Sequence, residues 1–374
     1  MGIDEQAIEA LERRVRREVD DGLVPSCQAA VAYGGEVVAE FAAGDATTGS
    51  RYALFSCTKA LIAAVMWQLI GEGRVFPTDT VVTHFEEFGA NDKAAITIEQ
   101  VMTHTAGFPR APMGPPRWSD RAWRIQRMAD WRLNWEPGSR FEYHPTSAHW
   151  VLAEVIARLD GRDHRDAVRE RVLEPLGLSR LALGVAPAVS HGIAELVVVG
   201  ENPTPAEVEA VFGAAEIDRG EVTPEVLLAF NDVDVRAVGV PGGGAVSNAA
   251  DLALLYQALL HNPGRLWDPA VLEDGRGTVR CRLPDPVTGI PANRTLGLVA
   301  AGDDGRAALR GMGHTVSPRA FGHNGAAGQI AWADPDSGLS FVYLTNGIDR
   351  HFLREARRTV SIASRAGLVA AADR

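Results

Sequence analysis

The sequence predicts an α/β protein in which both ends of the chain build one sheet-containing domain and the middle forms an inserted, mostly helical domain. Two observations support this prediction. β-prone runs occur near the start and again near the end of the 374 residues, whereas helical patterns and loops fill the middle. Such an order of elements is typical of a fold that segregates its strands from most of its helices.

The first fifty residues predict a surface helix and a β-hairpin. In residues 1–22, acidic and basic residues alternate around apolar residues at near-helical spacing, without the apolar core of a signal peptide. Gly34-Gly35 then separates two β-prone runs within residues 27–46, which is a hairpin pattern. Because no targeting segment is recognised, we expect a cytoplasmic protein.

Helices and loops are predicted through the middle of the chain. An apolar helix opens near Ser56 and ends at Gly71, a short helix covers residues 97–105, and an amphipathic helix covers residues 144–161. A glycine-rich turn at residues 241–244 leads into a further helix, in which Asn248 and Asp251 are spaced as a capping box. Residues 185–240 have weak periodicity, and we expect loops and short helices there.

A proline- and tryptophan-rich segment, residues 111–135, interrupts these helices. It contains Pro112, Pro115 and Pro116 and half of the eight tryptophans. Its aromatic rings either form a wall over an apolar pocket, with Trp135 contacting the substrate, or only pack the helical domain. Near the end of the chain, two β-prone runs flank a turn at residues 334–338, and residues 349–371 read as a helix.

Composition and motifs exclude several classes of function. The formal charge of −11 disfavours nucleic-acid binding, and no apolar run reaches the roughly 18 residues that a membrane span needs. The three scattered cysteines, Cys27, Cys57 and Cys281, fit buried thiols better than disulfides or a zinc site. No metal-binding, P-loop, dinucleotide or G-x-S-x-G motif is present, so we expect neither a cofactor nor a Ser-His-Asp site.

The strongest chemical signal is the pair Ser56 and Lys59. Only Lys59 and Lys93 are lysines among 37 basic residues, and a desolvated lysine, unlike an arginine, can lose its proton and act as a base. Three residues apart on a helix, the hydroxyl and the amine share a face, and the helix amino terminus favours an oxyanion beside the serine. The alternative is a capping serine followed by a surface lysine. We interpret Lys93 as a surface residue and His104 as structural.

Around this pair the sequence resembles the serine hydrolases of the class C β-lactamase, DD-peptidase and family VIII-type carboxylesterase group. "LFSCTKA" looks like the family's nucleophile motif, and "WEPGSRFEYHPTSAHWVLAEVI" is similar to the segment of its second motif, Y-x-N. "GHNGAAGQIAWADPDSGLSFVYLTN" resembles the third-motif region, with His323, Asn324 and Gly325 in place of K-T-G or H-x-G. The resemblance covers nearly the whole chain and implies a β-lactamase/transpeptidase-like fold, with a mainly antiparallel sheet flanked by helices.

The resemblance also implies roles for particular residues. Ser56 would attack the acyl carbon and form an acyl-enzyme, and Lys59 and Tyr143 would share proton transfer, with Tyr143 acting as a phenolate or as a relay to the leaving group. The backbone N–H groups of Ser56 and Ala326 would form the oxyanion hole. The third-motif residues, together with His144 and Trp135, would bind the substrate. The sheet domain would comprise residues 1–52 and 290–374, and the helical domain, with its active-site loops, residues 53–289.

Two departures from the family pattern point to the substrate. Pro145 stands where the second motif normally ends in asparagine, so contacts that depend on that asparagine are missing. His144 or His149 are the candidates to replace it, although a histidine on an amphipathic helix is more often structural. His323 replaces the third-motif lysine that pairs with a substrate carboxylate, and a histidine is mostly neutral at pH 7. We therefore predict a hydrolase of small carboxylic esters. The alternatives are an acyltransferase, a β-lactamase or D-amino peptidase, and a non-catalytic penicillin-binding-like protein. The only expected partner is the small-molecule ester, and the sequence leaves a homo-oligomer open.

Overall fold

The computed structural model describes residues 2–114, 116–216 and 222–370. Its strands are Ser26–Tyr33 (β1), Glu36–Gly44 (β2), Tyr52–Ala53 (β3), Ala182–Leu183 (β4), Val197–Val199 (β5), Ala245–Ser247 (β6), Val299–Ala300 (β7), Phe321–Gly322 (β8), Ile330–Asp334 (β9), Leu339–Thr345 (β10) and Gly347–Asp349 (β11). Its α-helices are Glu5–Asp20 (α1), Lys59–Gly71 (α2), Ile98–Met102 (α3), Arg121–Asp130 (α4), Ser147–Asp160 (α5), His164–Val168 (α6), Glu174–Leu176 (α7), Pro205–Phe212 (α8), Pro224–Leu228 (α9), Val233–Val238 (α10), Ala249–His261 (α11), Pro269–Gly277 (α12) and Phe352–Ala366 (α13).

Six antiparallel strands form the main sheet, in the order β2-β1-β10-β9-β8-β7. The predicted hairpin and the predicted strands on either side of residues 334–338 supply the four longest strands. β1 pairs with β10 along its length, from Cys27 opposite Thr345 to Tyr33 opposite Leu339. The two ends of the chain are therefore joined at the centre of the sheet, and the predicted α/β fold with an antiparallel sheet flanked by helices is confirmed. The domain boundaries stay a prediction.

The sheet lies between two hydrophobic layers because successive residues of a strand point to opposite faces. On β1, Ala30 and Ala32 join the large core that includes α2, α5 and α11, whereas Ala29 and Val31 join a smaller core with α1 and α13. The predicted amino-terminal helix is thus the half-buried α1. The three cysteines are buried free thiols, as expected.

Short elements connect the sheet to the helical part of the molecule. β3, β6 and β4 form a small second sheet, and β5 pairs with β11 in parallel. The predicted helix cap at Asn248 is present, since its side chain accepts a hydrogen bond from the Asp251 N–H at 3.1 Å. The Asp251 carboxylate instead accepts a bond from the Arg180 N–H, at 2.7 Å, so the box is only half formed. Within the described ranges, no helix has the length and apolar character that a membrane crossing requires.

The proline- and tryptophan-rich segment contributes to the helical core. Trp118 and Trp131 are buried, and their rings lie beside Trp150 at 6.5 Å and Phe108 at 5.7 Å, respectively. For these two rings the structure favours packing over an exposed aromatic wall. Of the prolines that mark the segment, Pro115 lies outside the described residues, as does residue 371 at the end of the predicted last helix.

The prediction that Lys93 is a surface residue is wrong. Its side chain is fully buried, and the Nζ atom donates hydrogen bonds to the carbonyl oxygens of Ala90, of Ala129 at 3.0 Å and of Trp131 at 2.6 Å. Burial lowers the pKa of Lys93 to about 8. The Lys93 side chain thus joins the loop at Ala90 to the end of α4. A sequence pattern does not predict this role, because the three acceptors are backbone atoms.

We predict that Lys93→Met destabilises the fold, because one buried and two partly buried hydrogen bonds to carbonyl oxygens are lost. The free energy of unfolding should fall by about 2–3 kcal/mol. Urea denaturation followed by circular dichroism measures this loss. The exposed neighbour Arg132 supplies the control, since Arg132→Met should change stability little. Equal losses in the two variants would contradict the structural role of Lys93.

Candidate active site

Ser56 lies on a tight turn, Phe55–Thr58, that leads directly into α2. The turn is fixed from behind because β3 pairs with β6 and the Leu54 N–H donates to the Ala245 carbonyl at 2.9 Å. Phe55 has a positive φ of 44°, a conformation that costs a residue with a side chain on the order of 1–3 kcal/mol. Strain of this kind persists where surrounding structure enforces it, and here it sets the orientation of Ser56.

Lys59 is fully buried one helical turn beyond Ser56. Its Nζ atom lies 3.1 Å from the Ser56 Oγ atom, 2.8 Å from the Pro145 carbonyl oxygen and 2.6 Å from the Gly242 carbonyl oxygen. None of these partners carries a negative charge. Burial, reinforced by the positive charge of Arg294, holds the pKa of Lys59 well below its usual value of 10.5.

A neutral amine fits these three contacts. Its two N–H bonds point to the two carbonyl oxygens, and its lone pair then faces the hydroxyl of Ser56. Lys59 therefore does not need the motif asparagine that Pro145 replaces, because the backbone carbonyl of Pro145 accepts its hydrogen bond in place of a side-chain amide. The glycine-rich turn supplies the second acceptor through Gly242. A Cβ at Gly242 would lie 2.7 Å from the Pro145 carbonyl oxygen, so this close approach requires glycine.

Tyr143 reaches the same serine from the loop before α5. Its hydroxyl donates a hydrogen bond to the Ser56 Oγ atom at 2.8 Å. Burial raises the pKa of Tyr143 to about 12, although Arg294 and the bond to Ser56 act in the opposite direction. Tyr143 is therefore a neutral phenol near pH 7. The fold thus brings together Ser56, Lys59 and Tyr143, which are 87 residues apart at the widest.

Arg294 is a site residue that sequence reasoning missed. Its guanidinium carbon lies 5.1 Å from the centre of the Tyr143 ring and 5.3 Å from that of Phe141. Its Nη1 atom lies 3.1 Å from the Nε2 atom of His323. No motif marks this arginine, and with so many arginines in the chain its identity alone carries no signal. Only the fold places it beside the site.

His323 occupies the start of the third motif without offering a free nitrogen to a substrate. Because a guanidinium can only donate, the His323 Nε2 atom must accept from Arg294, and the proton then sits on Nδ1, which donates to the Asn324 carbonyl at 2.8 Å. Burial and the nearby Arg294 hold the pKa of His323 well below its usual value. Both ring nitrogens are therefore used by the protein itself.

The rest of the third motif packs against the nucleophile turn. A Cβ at Gly325 would lie 2.4 Å from the Leu54 carbonyl oxygen, so only glycine permits this approach. No described residue accepts a hydrogen bond from the backbone N–H of Ser56 or of Ala326. Both donors are thus available to an oxyanion, and their assignment to an oxyanion hole stays a prediction.

Two further predicted substrate-binding side chains, those of His144 and Asn324, are engaged elsewhere. His144 is fully buried, and its Nε2 accepts from the Phe108 N–H at 3.1 Å while its Nδ1 faces the Glu142 carbonyl at 2.6 Å. The prediction that His144 binds substrate is therefore wrong, because both ring nitrogens face backbone atoms and the buried ring holds the loop that contains Tyr143. Asn324 donates to the Gly311 carbonyl at 3.1 Å, which directs its amide to the protein backbone.

Trp135 and His149 each lie against the ring of a histidine. The half-buried Trp135 donates to the Glu142 carboxylate at 3.3 Å and meets His144 edge-on, so its role in a pocket wall stays a prediction. His149 is buried beside His104, with ring centres 5.9 Å apart, and none of the three hydrogen bonds of the Lys59 amine involves it. Among the described residues no cluster of metal-ligating side chains is found.

Known proteins that resemble this chain agree with the geometry of the site. The family model described as Beta-lactamase matches residues 11–364. The esterase/beta-lactamase LipL of Mycobacterium tuberculosis is 28% identical over 318 residues, which cover 78% of this chain and 68% of that protein. A penicillin-binding protein homolog from Caulobacter crescentus superposes with a TM-score of 0.79 at 27% identity, covering 98% of this chain and 99% of that one.

A structure described as a family VIII carboxylesterase superposes equally well, with a TM-score of 0.79 over 98% of this chain and 99% of that one. At 22% identity this likeness shows the fold. The family match, in contrast, spans almost the whole chain and includes every residue that meets at Ser56. The protein therefore belongs to the beta-lactamase family, with the fold of its hydrolases.

Proposed function

We propose that this protein is a serine carboxylesterase that cleaves small esters through an acyl-enzyme on Ser56. One observation carries the proposal: the Ser56 Oγ atom lies between the buried amine of Lys59, at 3.1 Å, and the phenol of Tyr143, at 2.8 Å. A hydroxyl held between a base and an acid can be deprotonated as it attacks a carbonyl carbon.

Acylation uses both neighbours of the serine. The neutral Lys59 amine takes the Ser56 proton while Oγ bonds to the ester carbon, and the N–H groups of Ser56 and Ala326 bind the oxyanion. The Tyr143 phenol then gives its proton to the alkoxide that leaves as the carbon–oxygen bond breaks. The proton held by Lys59 returns to the Tyr143 oxygen. In deacylation, a water molecule takes the place of the alcohol, and the same groups remove its proton and restore the Ser56 hydroxyl.

The preference for esters rests on two missing donors. Pro145 has no side-chain amide to bind the amide of a β-lactam or peptide, and the nitrogens of His323 are both occupied. An ester with a good leaving alcohol needs neither contact for attack at its carbonyl. The carboxylesterase with the same fold agrees with this choice, whereas the name of LipL includes both esterase and beta-lactamase.

We predict that the wild-type protein hydrolyses 4-nitrophenyl acetate and that Ser56→Ala lowers kcat/KM by at least about 10³-fold, because the nucleophile is lost. Release of 4-nitrophenol measures the rate. Ser139→Ala changes an exposed serine and serves as the control. Equal rates in wild type and Ser56→Ala would overturn the assignment.

The same assay separates the other functions. Faster turnover of a chromogenic cephalosporin than of the ester would favour a β-lactamase. Transfer of acetate to an added alcohol, in preference to water, would favour an acyltransferase. Labelling of Ser56 by a fluorophosphonate without any ester turnover would favour a non-catalytic binding protein.

We predict that Lys59→Arg lowers kcat/KM on the order of 10²–10⁴-fold, because a guanidinium stays protonated and cannot act as the base. For the wild type, kcat/KM should rise with pH as Lys59 loses its proton, at a pH well below 10.5, since its pKa is lowered. It should then stay level to about pH 10, because Tyr143 ionises only near 12. A rise centred at the ordinary lysine pKa would contradict the neutral base.

We predict that Gly325→Ala lowers kcat/KM by at least about tenfold while the fold is retained. The new Cβ would lie 2.4 Å from the Leu54 carbonyl oxygen, which pushes the third motif and the Ala326 N–H away from Ser56. Gly49→Ala is the matched control, because the nearest atom to its Cβ is 3.6 Å away. Steady-state kinetics on both variants, with melting temperatures, test this. Wild-type kinetics in Gly325→Ala would argue against a third-motif contribution.

A further inference from the structure

We propose that Arg294 is a positioning residue of this active site, whose guanidinium supplies the fixed positive charge that acts on Lys59 and Tyr143. The inference rests on the proposed esterase function and goes beyond it, since neither the nucleophile motif nor the second and third motifs contain Arg294. It rests on three observations: the position of the guanidinium, its lack of a carboxylate partner among the described residues, and the groups that it faces.

The guanidinium is held in one place by its neighbours. Backbone bonds fix residue 294, since its N–H donates to the Cys281 carbonyl at 3.0 Å and its carbonyl accepts from the Cys281 N–H at 3.1 Å. The side chain, only 9% exposed, lies against the rings of Phe141 and Tyr143 and reaches the His323 Nε2 atom. Such stacking favours arginine over lysine.

The charge has no carboxylate partner among the residues that the structure describes. Its hydrogen-bond partner is the neutral His323, and the buried Nε atom has no partner there. Asp285 and Cys281 act on it only at longer range. A buried cation without an ion pair is costly to a fold, and such groups concentrate at functional sites. The nearby phenol of Tyr143 gains most from this charge, because it carries negative charge after it donates its proton.

Arg294 is the cation that acts on Lys59, on Tyr143 and on three of the surrounding histidines. Burial lowers the pKa values of the histidines around the site and raises the pKa of Cys57 to about 12, so these groups are neutral near pH 7. Lys59, when it loses its proton, leaves Arg294 as the fixed charge. Besides Arg294, the titratable groups that face Lys59 and Tyr143 are Cys57, His104, His149 and His323.

Two consequences follow from Coulomb's law. A positive charge beside Lys59 disfavours its protonated form, so the free base is available at lower pH. The same charge favours an ionised Tyr143 and so eases proton donation to the leaving alcohol. Arg294 thus stands in for the cation that the third motif lacks at His323, but it acts through Lys59 and Tyr143 and not through the substrate.

The test compares Arg294→Gln, which keeps a hydrogen-bond donor without charge, with Arg294→Met, which removes both the charge and the donor. The pH dependence of kcat/KM is measured with the uncharged ester 4-nitrophenyl acetate. In Arg294→Gln we expect kcat/KM to fall by about tenfold and the acidic midpoint to move up by about one pH unit, because Lys59 then holds its proton more tightly. KM should change little. Arg294→Met should show the same shift of the midpoint as Arg294→Gln, because both lack the charge.

A second readout does not need turnover. The rate at which a fluorophosphonate labels Ser56 depends on the same base, so its pH midpoint should move in the same direction in Arg294→Gln. If the wild type shows no esterase turnover, the proposed function fails, while the labelling midpoints still test Arg294. If Arg294→Gln does not fold, Arg294→Met carries the test, and a wild-type midpoint in that variant overturns the proposal.

Arg310→Met is the matched control, because Arg310 is also a nearly buried arginine but pairs with Asp304. It should lower the melting temperature without moving either midpoint. Wild-type midpoints in Arg294→Gln would overturn the proposal and leave Arg294 a packing residue. So would a raised KM confined to esters that carry a carboxylate, since that result assigns the guanidinium to the substrate.

Discussion

The burial of one amine without a counter-charge is the constraint on which the site depends. Lys59 is enclosed by the α2 helix and by two backbone carbonyls, and neither offers the negative charge that would keep an ammonium stable. Desolvation therefore favours the free amine, and the amine's lone pair is left facing Ser56. Lys93 is the only other lysine of the chain, and at position 59 an arginine could not lose its proton and act as the base.

Three distant segments must meet for that enclosure to exist. The loop before α5 contributes the Pro145 carbonyl, the glycine-rich turn contributes the Gly242 carbonyl, and the third-motif turn closes against Leu54. In each of these contacts one partner is a backbone carbonyl oxygen. This explains why glycines and a proline, which bring no functional groups of their own, are found around the reacting side chains.

Buried polar and aromatic contacts hold the nucleophile strand and turn in place. Gln329, buried after the third motif, donates to the carbonyl oxygens of Ala53 and Thr345, at 3.2 and 2.8 Å, and so ties the nucleophile strand to the central strand β10. The strained Phe55 is held from the other side by the ring of Phe230, at 5.6 Å. A cavity of about 630 Å³ beside Leu178 and Leu183 includes none of the reacting side chains, so cavity size does not mark the site.

Local pattern determined the hairpin, the long helices and the strands on either side of residues 334–338, because these follow from side-chain period and turn residues. The motifs likewise indicated Ser56, Lys59 and Tyr143 as candidates. Only the tertiary structure decided that Lys93 is buried, that His144 faces inward, that a carbonyl of Pro145 serves in place of a side chain, and that Arg294 lies on Tyr143. These facts depend on which backbone atoms and charges lie close in space although they are far apart in the sequence. A local sequence pattern holds no information about such contacts.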